Sequence, residues 1–233
     1  MAVKKSSKKD NQKSLFGDNA KVSNQKTKKI QISWTWWALV VFVLGFILFY
    51  VVFSKIGTFE YEGLAFDKQA YGDELTLYHH SYFYTYNKQT YKNNVYLRID
   101  PRKNNVPVND EILFIKGRTV YLGINNTNII NCSESQIAIG TISQFFANNQ
   151  FDLKLGTPDL NESKERKQPY IDCQKADDNT VIIIQNSEKT DIIKQGESCY
   201  FININQCEIQ PAVEKFIVNS LIDTREYRES LKN

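Results

Sequence analysis

The sequence predicts an α+β protein: a single transmembrane helix, then an exported domain in which an antiparallel or mixed sheet carries two helices. Three observations lead there. Residues 34–53 read WTWWALVVFVLGFILFYVVF, twenty residues without a charge. A helix rises ~1.5 Å per residue, so this run spans roughly 30 Å, the thickness of a bilayer's hydrocarbon core. Beyond it, several short runs rich in Val, Ile, Tyr and Phe alternate with period two, as half-buried strands do. Residues 133–148 and 211–231 switch to a helical period. The expected organisation is a disordered basic tail at 1–33, a membrane helix at 34–54 and a folded domain at 55–233.

The tail sets the orientation. Residues 1–30 hold nine Lys and two acids, a net charge of +7 in a chain of +3 overall. Lysine-rich flanks are retained in the cytoplasm, and only Lys55 follows the span closely. The N-terminus is therefore expected inside and residues 55–233 outside, with Trp34, Trp36 and Trp37 at the inner interface and Tyr50 and Phe53 at the outer. A cleaved signal peptide is the competing reading. Its apolar region runs to about 7–15 residues and ends in a small-x-small site; here SKIGTFEYEG follows Phe53, with no A-x-A pattern. The tail reads as a solvated topology determinant, and no nucleic-acid partner is expected.

In chain order, 59–66 is a first strand, and 74–86 with 90–99 a hairpin turning at 87–89. Asp100-Pro101 ends it, because Pro lacks a ladder donor and disfavours helix before it. Residues 111–116 and 119–124 form a further pair. A helix at 133–148 opens on a Ser133/Gln136 capping box and buries Ile137, Ile142, Phe145 and Phe146. A short strand at 151–155 precedes a polar stretch, 156–170, expected to be a long mobile loop. The apolar run 180–185 is a central strand, and 190–195 and 200–205 complete a meander. Pro211 suits the first turn of a last helix, whose buried stripe is Val213, Phe216, Ile217 and Leu221.

All four cysteines follow the span, an even count that points to disulfides in an oxidising compartment. With no C-x-x-C, no zinc site is expected. Cys199 and Cys207 bracket the strand 200–205, about 26 Å apart if it is straight, and a disulfide needs Cα atoms within about 7 Å. That excludes Cys199–Cys207 and with it Cys132–Cys173. In a meander, 180–185 and 200–205 run the same way, which places Cys173 and Cys199 at one sheet end and Cys207, with Cys132, at the other. The expected bonds are Cys173–Cys199 and Cys132–Cys207. Sequons at Asn125, Asn131 and Asn161 could each accept a glycan, against the competing reading that an Asn-rich chain makes sequons by chance.

Chemistry-bearing motifs are sparse. There is no phosphate loop, G-x-S-x-G or HExxH. The two histidines, His79 and His80, are adjacent on a strand and face opposite ways, so they make no metal pair. No catalytic residue, cofactor or metal is assigned. The binding candidates are Tyr78, His80, Tyr82, Tyr84 and Tyr86, which share one parity, with Leu75, Leu77 and Phe83 expected to form the core face behind them. An exposed tyrosine face suits a protein or a glycan. Arg102, beside Asp100 and Arg98, is either an anion ligand or half of a turn-locking pair.

Cys199-Tyr200, Cys207 and Glu214-Lys215-Phe216, in the last 60 or so residues, resemble single-pass membrane proteins of small-genome archaea. The resemblance carries no activity and no site residue. The function expected is a signal-anchored surface or envelope protein with a non-enzymatic, protein- or glycan-binding ectodomain. The alternatives are an extracytoplasmic enzyme using His80, Asp100 and Arg102, and a scaffold subunit of a membrane complex that pairs through its span, where Gly45 is the one small contact residue.

Overall fold

The computed structural model describes residues 34–55, 57–114, 119–125, 129, 131–176 and 178–231. The tail expected at 1–33 lies outside them. The described chain divides at Val51–Val52 into two units. Among the described residues the first holds the helix α1 (Trp34–Lys55) as far as Val51, apolar on every side. Its segment Trp34–Val51 has a mean hydropathy of 2.1 and none of it is buried; by length and composition it can cross a membrane.

The second unit is α+β. Strands β1 (Thr58–Tyr61), β2 (Leu64–Tyr71), β3 (Leu75–Tyr86) and β4 (Gln89–Leu97) form an antiparallel sheet in chain order. Both residues of the β1–β2 turn have positive φ, Glu62 at 46° and Gly63 at 71°, as do Asn87 at 49° and Lys88 at 65° in the β3–β4 turn. Two-residue turns of that kind match the strands' right-handed twist. They also set the register, pairing Tyr78 with Leu97 and His80 with Val95.

The remaining elements are β5 (Thr119–Ile124), α2 (Ser135–Asn148), β6 (Asp152–Gly156), α3 (Leu160–Arg166), a 3-10 turn (Cys173–Ala176), β7 (Thr180–Asn186), β8 (Asp191–Gln195), β9 (Cys199–Ile204) and α4 (Ile209–Ser230). The second sheet runs β6-β5-β7-β9-β8, parallel except for β8. The first five residues of β7, TVIII, are buried, as befits a central strand covered on both faces. One face packs on α2 and α4. Ile171, Val181, Ile183 and Cys199 make a smaller cluster on the other, beside Cys173 of the 3-10 turn. A single core runs from Leu64, Phe66, Val95 and Leu97 of the first sheet, through Ile142, Phe146, Phe216 and Ile217 of the helices, to Leu122, Ile182 and Ile202 of the second. Helices α2 and α4 are thus the middle layer.

Polar side chains of α4 fasten the connector between the sheets. Buried Glu214 accepts the backbone N–H groups of Arg98 (2.7 Å) and Ile99 (2.9 Å) and the side-chain amide of Gln210 (2.6 Å). Burial pushes its pKa up, while those N–H groups oppose the shift. Asp223 accepts from the N–H of Ile112 at 2.7 Å, and the Tyr200 hydroxyl both accepts from Leu113 N–H (3.1 Å) and donates to Leu113 O (3.0 Å).

Several expectations change. The strand expected at 111–116 is absent from 111–114, because side chains of α4 and β9 take those backbone groups instead of a neighbouring strand; residues 115 and 116 lie outside the described set. The capping box at 133–136 is not formed: Glu134 is the N-cap and gives no side-chain bond, and Ser135 Oγ donates to Cys132 O at 2.8 Å. Ile137 is exposed. The stretch 156–170 contains a helix, since Asp159 caps the N–H groups of Asn161 and Glu162 and Lys167 closes it in the left-handed region. The meander is replaced by a crossover, with β9 between β7 and β8.

That crossover keeps β7 and β9 pointing the same way, which is all the cysteine geometry needs. Cys132–Cys207 and Cys173–Cys199 are bonded, with Cα atoms 5.4 Å and 5.6 Å apart and sequence separations of 75 and 26. In the chain-entropy model they stabilise by about 4.5 and about 3.5 kcal/mol.

Candidate functional site

The tyrosine row of β3 faces inward. His80 and Tyr84 are buried, and Tyr78 and Tyr82 pack against the core, whereas Phe83 is 65% exposed. The expected core face is therefore reversed. The cause is the register: the positions facing the same way on β2 and β4 are Leu64, Phe66, Val95 and Leu97. The outer face is held by polar contacts instead. His79 Nε2 lies 3.0 Å from Asn94 Oδ1, Ser81 Oγ donates to that same oxygen at 2.8 Å, and Tyr96 stacks on His79.

The candidates then part company. Tyr78 sets its ring edge-on to Phe59 and is a packing residue. Arg102 donates to both carboxylate oxygens of buried Asp100, at 2.9 and 2.6 Å, and its guanidinium lies 3.7 Å from the centre of the Phe59 ring. The Arg102 guanidinium holds the Asp100 carboxyl below its usual range. This pair locks the turn, and the geometry does not bring it to His80. The side chain of Tyr86 lies outside the described residues. Among the described residues no three His, Cys, Asp or Glu come together as a metal would need.

His80, Tyr82 and Tyr84 do meet, in a cleft of about 610 Å³ between β3 and the C-terminal half of α4. That volume falls within the range of about 300–1,000 Å³ usual for ligand sites. His80 Nδ1 is 2.7 Å from Ala65 O; a carbonyl only accepts, so Nδ1 carries the proton. Burial pushes the His80 pKa down, so the ring is neutral at neutral pH. It stacks on Tyr82 and lies tilted, at 40°, against Phe66. The Tyr82 hydroxyl accepts from Asn149 Nδ2 at 2.6 Å, and burial pushes its pKa up.

The rest of the cleft was not visible in the sequence. Its floor is Phe114, Phe145 and Phe151, rings that also enclose Phe146. Its second wall is Leu221, Thr224, Arg225, Tyr227 and Arg228 of α4. The Arg225 guanidinium rests on Gly63 of the β1–β2 turn, in space that a Cβ would fill. Its ion pairs are long, 3.7 Å to Glu226 and 3.9 Å to Glu229. The available signal was the change along α4, where Arg225 and Arg228 fall beyond the last apolar position of the stripe. The geometry is an aromatic trough with cationic groups at its rim, able to desolvate an apolar group and attract an anion.

No protein-family model, curated protein or solved structure matches the chain.

Proposed function

We propose that this chain is a signal-anchored surface or envelope protein. In this reading α1 spans the membrane with the N-terminus in the cytoplasm, and residues 55–233 form a non-enzymatic ectodomain that binds a protein or a glycan. The cleft between β3 and α4 is the observation that carries the binding role, since it joins apolar depth to a few polar groups. The two disulfides and the lysine-rich tail support the orientation, because disulfides persist in oxidising compartments and lysines stay inside.

The test uses the full chain in lipid nanodiscs, applied to peptide and oligosaccharide arrays beside the variant Thr224→Trp. Thr224 is half-buried on the cleft wall, so a Trp there fills the trough without entering the core. The expected result is binding on one class of array that the variant loses. Binding on neither array, or binding the variant retains, overturns the proposal.

A further inference from the structure

We infer that the cleft recognises a peptide segment of a partner protein in which an apolar side chain lies beside a carboxylate. The inference rests on the cleft being the binding site. Its apolar lining includes Leu113, Phe114, Phe145, Phe151 and Leu221, which suit an aromatic or aliphatic side chain, beside polar groups of Tyr82, Asn149, Thr224 and Tyr227. Its charged lining, among the described residues, is Arg225, Arg228 and Glu229, with His80 neutral. Two cations thus face one carboxylate in the lining, and Glu226 stands beside them at 3.7 Å from Arg225.

Arg225 is the better fixed of the two cations. Its guanidinium is seated on Gly63, and its side chain as a whole is 33% exposed. Its Nε has no hydrogen-bond partner among the described residues, and its carboxylate neighbours stand at 3.7 and 3.9 Å, too far to hydrogen-bond. A planar fork held in place loses less freedom on meeting a carboxylate than a free one does. Arg228, exposed one turn along, adds charge at the open end. The apolar anchor thus supplies burial, and the carboxylate supplies selectivity.

Two capped, fluorescently labelled peptides decide it, identical except that one carries Phe-Glu and the other Phe-Gln. They are titrated by anisotropy against the full chain in nanodiscs. The Phe-Glu peptide is expected to bind about tenfold more tightly, the worth of one charge-assisted contact. The double variant Arg225→Gln, Arg228→Gln is expected to remove that preference, and an unchanged far-UV circular dichroism spectrum reports its intact fold. Equal affinities for wild type, or a preference that survives the double substitution, overturn the inference. Binding of an oligosaccharide in place of both peptides, lost in Thr224→Trp, overturns the peptide reading and leaves the cleft as a site. No binding of peptide or oligosaccharide overturns the binding function itself.

Discussion

Arg225 lies directly on Gly63: a Cβ at that glycine would overlap Nη1 and Cζ of the guanidinium. The contact joins the β1–β2 turn to the far end of α4, 162 residues later in the chain. It has two requirements, a backbone φ of +71° and an empty space where a side chain would be. Glycine meets both.

Gly63→Ala separates stability from binding. The left-handed backbone costs a non-glycine residue about 1–2 kcal/mol. The displaced group is the end of a flexible side chain, which swings away at small further cost. Thermal unfolding is therefore expected a few degrees lower, with the fold intact. The Phe-Glu preference is expected to fall while Phe-Gln binding holds, and an unaltered preference would show that the seat on Gly63 does not matter.

His80 makes stability depend on pH. Its folded pKa is lowered, first by burial and to a smaller degree by His79; the Ala65 carbonyl and Asp67 oppose that. The unfolded chain then binds more protons than the folded one below the unfolded value of about 6.5. Stability from this residue is present above that value and is lost as pH falls towards the folded pKa. His80→Asn keeps a donor near the Nδ1 position and removes the titration. Urea denaturation of wild type is expected to lose stability relative to His80→Asn as pH falls from about 7 to about 5. A constant difference across that window would contradict the assignment.

Glu214 holds the start of the connector. Glu214→Ala leaves two backbone N–H groups, those of Arg98 and Ile99, without an acceptor in the core. Each buried orphan costs about 1–3 kcal/mol, so a total loss of about 3 kcal/mol or more is expected in denaturant melts. Faster amide exchange at Arg98 and Ile99 would accompany it. A change under about 1 kcal/mol would mean that water replaces the carboxylate.

The proposed topology has a direct readout. Protease added to intact cells, or to spheroplasts where there is a wall, is expected to degrade residues 55–233 and leave a protected fragment of about the first 55. Non-reducing peptide mapping of the same material is expected to yield the Cys132–Cys207 and Cys173–Cys199 peptides. Protection of the large unit would reverse the orientation.

Local signals were legible where a short stretch holds all the information. The apolar run at 34–53, the parity of β3, the burial of β7 and the start of α4 near Pro211 each depend on neighbours in sequence. The helix α3 was legible too, in Asp159 followed by Glu162, but a charged stretch masked it. The cysteine pairing came out because it needs only that β7 and β9 run the same way, which a meander and the observed crossover share.

By itself the sequence determined an apolar helix long enough for a bilayer, an α+β unit after it, and cysteines confined to that unit. Only the tertiary structure decided which face of β3 is inside. Parity sorts residues into two sets, and burial of one set is decided by the apolar partners Leu64, Phe66, Val95 and Leu97 set beside it by the turns. The cleft is a tertiary product for the same reason. Gly63, His80, Phe114, Phe145 and Arg225 are scattered along the chain, and no local periodicity records that the last turns of α4 run past the core to face the end of a strand.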